Sequence, residues 1–188
     1  HCGWRFVRAL DPGSTELPFR RMECGPGEEL QVDFGQGTWV VDPRTRRRRR
    51  PHLFRCVLSC SRKGYSEVVW RQNTESFIRC LENAFRYFGG VPRTVVIDNL
   101  KPGVIKADWY DPDLNPKLEE FARHYQTWIL PTKPATPRHK GKVESMVKYA
   151  QNNALKGRSF ESLAAQNRHL RQWEEHTADT RIHGTTRK

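Results

Sequence analysis

Long apolar runs are missing from this sequence, and their absence argues against a membrane-spanning helix. No apolar stretch of the signal-peptide type opens the chain, so secretion is not expected. Cysteine is scarce: the five cysteines are odd in number and lack CxxC spacing, which argues against a disulfide framework and a structural zinc site. We therefore expect reduced thiols in a cytoplasmic protein without a membrane partner.

Acidic residues are outnumbered by basic ones. The 188 residues include 33 Lys and Arg against 21 Asp and Glu, a formal net charge of +12. This excess makes a polyanion such as nucleic acid the first partner to consider. The length suits one domain with extensions, large enough to bury a core.

Asp33 is an unusual residue for its surroundings, because the stretch from Glu29 to Gly35 reads as a β-strand. Asp is depleted in strands, since its side chain competes for backbone hydrogen bonds and adds little packing. Two interpretations remain open from this residue alone. It occupies an exposed position on a half-buried strand, or it is a metal ligand projecting from a rigid sheet.

A second strand and a later helix carry two more carboxylates. The run from Thr94 to Ile97 is β-branched and ends in Asp98, at the carboxyl end where open α/β sheets place their ligands. A helix predicted to begin near Lys142 carries Glu144, with Val147 on its apolar face. Glu144 alone could equally form a plain surface pair with Lys148, four residues on.

Asp33, Asp98 and Glu144 together favour a metal site. Two carboxylates about 4 Å apart repel by roughly 4 kcal/mol at an effective dielectric of 20, so a cation or shared proton has to offset the repulsion. Oxygen ligands without His or Cys suit Mg²⁺ or Mn²⁺ rather than zinc. Two such ions held beside a basic surface can serve phosphodiester cleavage or strand transfer, because one activates the attacking oxygen and the other stabilises the leaving oxygen.

The order of elements predicts a mixed α/β fold. Three antiparallel strands come first, then a helix capped by Thr74, the strand that ends at Asp98, a second helix and a short last strand. A further helix is expected from Ser159 to Thr177. The predicted spans after the Asp33 strand are His52–Ser61, Tyr65–Trp70, Glu75–Phe88, Pro116–Tyr125 and Thr127–Leu130.

The segment from Arg44 to Arg50 is predicted to be a basic loop between two strands. A run of like charges is commonly only solvated. Between strands of a basic domain, phosphate contact is an equally good interpretation. The role of the arginines from Arg46 to Arg50 therefore stays open.

Five blocks of sequence resemble the catalytic region of IstA-type insertion-sequence transposases, within the superfamily of DDE transposases and retroviral integrases. The blocks are GEELQVDFGQG (Gly27 to Gly37), VVIDNLKPGV (Val95 to Val104), NPKLEEFARHY (Asn115 to Tyr125), PRHKGKVES (Pro137 to Ser145) and RIHGTT (Arg181 to Thr186). The resemblance covers nearly the whole chain. It implies a ribonuclease H-like mixed five-stranded sheet flanked by helices.

The same resemblance implies that Asp33, Asp98 and Glu144 are the catalytic triad and hold two Mg²⁺ or Mn²⁺ ions. Asp33 would bridge the ions. The implied reaction is cleavage at the 3′ ends of a transposon, followed by transfer of the new 3′-hydroxyl to target DNA. Implied partners are DNA, further copies of the chain and an IstB-type AAA+ ATPase, in the cytoplasm and nucleoid of a bacterium.

The basic residues near the predicted triad are candidates for phosphate contact. They are Lys101, Arg138, Lys140, Lys142 and Lys148. The expected organisation is a helix remnant and linker in 1–27, the catalytic core in 28–156, and a helix and linker toward a β-barrel in 157–188. Two alternatives remain: a structure-selective nuclease on the same fold, and a non-catalytic DNA-binding assembly module.

Overall fold

A computed structural model describes residues 24–97, 116–131 and 146–180 of the chain. The elements, numbered in chain order, are β1 (Glu29–Gln36), β2 (Trp39–Val41), β3 (Arg48–Arg49), β4 (His52–Leu58), β5 (Gly64–Val69), α1 (Thr74–Phe88), β6 (Thr94–Ile97), α2 (Pro116–Tyr125), β7 (Trp128–Pro131), α3 (helical residues 146–150 with the π-helical turn Gln151–Leu155), β8 (Ser159–Phe160) and α4 (Leu163–Trp173, continued by the π-helical turn Glu174–Ala178).

The main sheet has five strands in the order β5-β4-β1-β6-β7. Strands β1, β4 and β5 are antiparallel neighbours, whereas β6 and β7 run parallel to β1. The predicted mixed five-stranded sheet is therefore confirmed. Because β1, β6 and β7 point the same way, their carboxyl ends lie at one edge, where sheets of this kind bind ligands.

One face of the main sheet is covered by α1 and α2. Phe77 and Phe85 of α1 are buried, as helical spacing predicts, and Phe77 packs against the ring of Phe34 from β1. The expected cap is wrong by one residue: the side chain of Asn73, not Thr74, accepts the hydrogen bond from Ser76 N at 2.9 Å. Helix α2 has the predicted bounds.

The other face of the main sheet is covered by α3 and α4. Val147 of α3 and Leu170 and Trp173 of α4 form a second buried cluster with residues of β4 and β5. The helix predicted from Ser159 is wrong at its start. Residues Ser159–Phe160 form β8, and the helix begins after Ser162, whose side chain accepts a hydrogen bond from Ala165 N at 3.1 Å.

A small second sheet, in the order β3-β2-β8, extends beyond the carboxyl end of β1. The prediction of a loop over all of Arg44 to Arg50 is wrong in part, because Arg48–Arg49 pair with β2 as a strand. The buried carboxylate of Asp42 fixes the turn between β2 and β3 by accepting hydrogen bonds from Arg44 N and the Arg49 guanidinium. The backbone and side-chain hydrogen bonds from these arginines lower the pKa of Asp42.

Two expectations from composition concerned the state of the cysteines and the presence of membrane-spanning helices. The four cysteines in the described ranges are free, and Cys56 and Cys80 are buried, which raises the pKa of both thiols. Across the three described ranges, no helix has the length and apolar character needed to cross a membrane.

Candidate active site

Asp33 lies in the middle of β1 and is half-buried between the buried residues Val32 and Phe34. Successive side chains of a strand point to opposite faces. Val32 and Phe34 belong to the core beneath α1, so Asp33 projects to the face that α3 and α4 cover. Its Oδ1 accepts a hydrogen bond from Phe34 N at 2.7 Å, which orients the carboxylate.

Strand β6, the parallel neighbour of β1, ends one residue before the second predicted ligand, Asp98. Val32 pairs with Ile97, the last residue of β6. Asp98 is the next residue in the sequence and lies outside the described residues, as does Glu144. The structure thus places one member of the predicted triad. Within the described ranges, no group of three His, Cys, Asp or Glu side chains is assembled for a metal ion.

Helix α3 packs directly over β1 beside Asp33. Gly35 lies two residues from Asp33 on the same side of the strand, and a Cβ built on it would be 2.2 Å from Cγ1 of Val147. Gln151, one turn further along α3, donates a hydrogen bond from its side chain to Gln36 O at 2.9 Å. The glycine therefore allows a close approach that any larger residue would prevent.

Replacing Gly35 with Ala is expected to lower the free energy of unfolding by about 1–3 kcal/mol, because the added methyl group overpacks the contact with Val147. Denaturant unfolding measures the change. Gly90→Ala is the matched control, since a Cβ there meets no atom within 4 Å. Adding Val147→Ala to Gly35→Ala should recover part of the loss. An unchanged stability for Gly35→Ala would contradict this close packing.

A buried ion pair that sequence reasoning missed lies next to Asp33. Arg55 of β4 is the cross-strand partner of Asp33, on the same face of the sheet. Its guanidinium is bonded to Glu174, and Ser66 Oγ bridges the two at 2.6 Å from each. Burial raises the pKa of Glu174, while Arg55 acts in the opposite direction by favouring the carboxylate.

The same guanidinium connects α3 and α4 to the sheet. It lies over the ring of Tyr149 from α3, at 5.9 Å, and over the ring of Trp173 from α4, at 5.4 Å. A charged residue in the middle of an apolar strand, as in HLFRCVL, is the one sequence signal that could have indicated Arg55. Its partner is 119 positions away in the chain, so the pair itself had no local signal.

The predicted phosphate-binding residues are described only in part. Lys148 is exposed on α3. The remaining predicted contacts lie outside the described residues: Lys101, Arg138, Lys140 and Lys142.

Comparison with known families identifies the class of protein to which this mixed five-stranded sheet, with an acidic residue in the middle of its first strand, belongs. The integrase core domain model matches residues 25–137. The chain belongs to this family.

The chain is similar to bacterial proteins named as transposases. It is 38% identical over 156 residues to the putative transposase Rv3428c of Mycobacterium tuberculosis, covering 82% of this chain and 38% of the relative. It is 34% identical over 162 residues to the transposase of insertion sequence IS21 from Pseudomonas aeruginosa, covering 86% of this chain and 41% of the relative. The chain thus spans about two fifths of the length of these relatives.

A solved structure confirms the fold. The catalytic core domain of HTLV-2 integrase, determined in complex with magnesium, matches with a TM-score of 0.50 at 14% sequence identity. The match covers 86% of this chain and 92% of that domain. The predicted ribonuclease H-like architecture is therefore correct.

Proposed function

We propose that this chain is the catalytic core of an IstA-type transposase, which cleaves the 3′ ends of an insertion sequence and joins them to target DNA. The observation that carries the proposal is the position of Asp33. It is an acidic side chain at the centre of the integrase-type sheet, on the face covered by α3. The relatives named as transposases, one of them for an insertion sequence, support the same reaction.

In the proposed site, Asp98 and Glu144 would lie beside Asp33. Asp98 directly follows Ile97, whose parallel partner Val32 precedes Asp33. If the register continued by one step, the two aspartates would be side by side. Glu144 precedes Val147 by three positions, about one helical turn. Val147 contacts Gly35, and one turn of helix upstream would carry Glu144 along β1 toward Asp33.

These three carboxylates fit magnesium or manganese, because hard oxygen ligands are the set that these ions prefer. Asp33 would hold two ions, and Asp98 and Glu144 would each complete one site. When bound, such ions activate the attacking oxygen and stabilise the leaving oxygen of a phosphoryl transfer. The HTLV-2 integrase core was determined in complex with magnesium, which supports the choice of metal.

DNA is the proposed substrate, and the net charge of +12 supports it. Lys148, on the exposed side of α3, would bind a phosphate, together with Lys101, Arg138, Lys140 and Lys142. An oligomer of the whole protein and an IstB-type ATPase are the proposed partners. We also propose the division into a leading segment of 1–27, a core of 28–156 and a trailing segment of 157–188.

A branched DNA that mimics the joined product tests the proposal. Strand transfer is reversible, so a 3′-hydroxyl placed beside the branch should attack the branch phosphodiester. A new P–O bond then reseals the target strand, and the transposon 3′-oxygen leaves with a proton. We expect resealed target strand in the presence of Mn²⁺, read on a denaturing gel. A nuclease would cut the branch without resealing, and a non-catalytic module would do neither; either result would contradict the proposal.

A further inference from the structure

The small sheet presents one aromatic and two basic side chains on a single face. Trp39 on β2 is 47% exposed. The guanidinium carbons of Arg48 and Arg50 lie 5.8 Å and 5.7 Å from the centroid of its ring. We call Trp39, Arg48 and Arg50 the arginine face. The ring holds both guanidinium groups by cation–π contact and limits their freedom before any ligand arrives.

Arg49, between Arg48 and Arg50, has a structural role. Successive residues of a strand alternate in direction, so Arg49 points away from the arginine face. It forms a salt bridge with Asp42 at 2.8 Å and lies over the ring of Trp70 at 5.2 Å. Arg49 therefore stabilises the turn, and the alternation leaves its two neighbours on the outer side.

Arg48 and Arg50 have no acidic partner among the residues that the structure describes. Within the same ranges, Arg50 donates a hydrogen bond from its Nε to Gly37 O at 3.1 Å, which leaves the end of its guanidinium available. Two guanidinium groups that are held in place and have no acidic partner in these ranges are suited to an anion from outside.

The arginine face lies at the same end of the main sheet as the proposed active site. Strand β1 runs past Asp33 and leads through residues 37 and 38 into β2. Asp33 and Trp39 are six positions apart. An extended chain covers at most about 3.3–3.6 Å per residue, so their Cα atoms lie within roughly 20 Å. That distance is about six base pairs of duplex, at roughly 3.4 Å per step of one strand.

We propose that the arginine face binds the phosphate backbone of duplex DNA, within about six base pairs of the phosphate that reacts at Asp33. Arg50 directly follows β3, two residues after Arg48, so in extended chain their Cα atoms are about 6.8 Å apart, which equals the axial rise of two base pairs. They would contact backbone phosphates without reading the sequence. The inference depends on the proposed function only in taking DNA as the substrate.

Salt dependence of DNA binding tests the arginine face. Each phosphate contact contributes close to one unit to the slope of log K against log salt concentration. For a 30-base-pair duplex of arbitrary sequence in EDTA, Arg48→Gln with Arg50→Gln should reduce that slope by about two. The control is Arg86→Gln with Arg123→Gln, which removes the same two charges from exposed positions on α1 and α2. It should leave the slope nearly unchanged.

A second variant separates the charge from a folding defect. Arg48→Lys with Arg50→Lys keeps both charges and should retain the slope, with a thermal melting curve equal to that of the parent chain. A slope that does not change in the Gln variant, or that falls equally in the control, would overturn the proposal. So would failure of the parent chain to bind the duplex.

The proposed function can fail independently of this result. Binding is measured in EDTA, where no reaction occurs, whereas resealing of the branched DNA needs Mn²⁺. If the Gln variant has a reduced salt slope but the parent chain does not reseal the branched DNA, the arginine face is supported and the transposase reaction is rejected. If the parent chain reseals the DNA but the slope of the Gln variant is unchanged, the transposase reaction is supported and the arginine face is rejected.

Discussion

Asp33→Asn is expected to reduce resealing of the branched DNA by at least about 10³-fold, because losing a ligand to both ions removes several kcal/mol of transition-state stabilisation. The fold should be unaffected. Asn has nearly the same shape as Asp, and its side-chain carbonyl can accept the same hydrogen bond from Phe34 N that Oδ1 accepts at 2.7 Å. Gel-based kinetics and a thermal melt measure the two properties on the same preparation.

Glu29→Gln is the matched control for this substitution. Glu29 is also on β1, four residues earlier and on the same face of the strand, and it is half-buried like Asp33. Its carboxylate accepts hydrogen bonds from Gln31 and Ser59, which a Gln side chain can also accept. We expect activity close to that of the parent chain. If Asp33→Asn retained resealing, or if both variants lost it equally, Asp33 would not be a metal ligand.

Arg55→Met is expected to lower the free energy of unfolding by about 3–5 kcal/mol, because it leaves the carboxylate of Glu174 buried and without its counter-charge. The Arg55 and Glu174 side chains are only 4% and 1% exposed, so water cannot replace the lost partner. At roughly 2–4 °C per kcal/mol for a chain of this size, the melting temperature should fall by about 6–20 °C.

A double-mutant cycle distinguishes the ion pair from simple loss of packing. Arg55→Met combined with Glu174→Met replaces both charges with apolar side chains, and the double variant should be more stable than either single one. The control is Arg86→Met, which breaks a 3.9 Å pair with Glu82 at a side chain that is 70% exposed. Exposed pairs contribute no more than about 1 kcal/mol. Additive losses in the cycle would show that Arg55 and Glu174 are not coupled.

The local patterns of the sequence were enough to predict most of the main sheet and its helices. The apolar stretch around Asp33 indicated β1, and helical spacing indicated α1, in which Phe77 is buried. The element β8 was missed because two residues form a strand only by pairing with β2, about 120 positions earlier. The strand at Arg48–Arg49 was missed for a similar reason, since the buried Asp42 stabilises a turn that charge repulsion disfavours.

The candidate site could be predicted less completely. An Asp in the middle of an apolar strand was the local signal that singled out Asp33, which is half-buried in β1. The close contact between Gly35 and Val147 joins segments more than a hundred residues apart, so no local pattern revealed that α3 lies over β1. The pairing of Arg55 with Glu174 was missed for the same reason. Packing between distant segments decided both.

The most direct test of the account is anomalous X-ray scattering from crystals of the chain soaked in Mn²⁺. We predict two anomalous peaks at the carboxylate of Asp33, with Asp98 and Glu144 each ligating one of the two ions. A map without manganese at Asp33, or coordinates in which the three carboxylates are too far apart to share ions, would contradict the account.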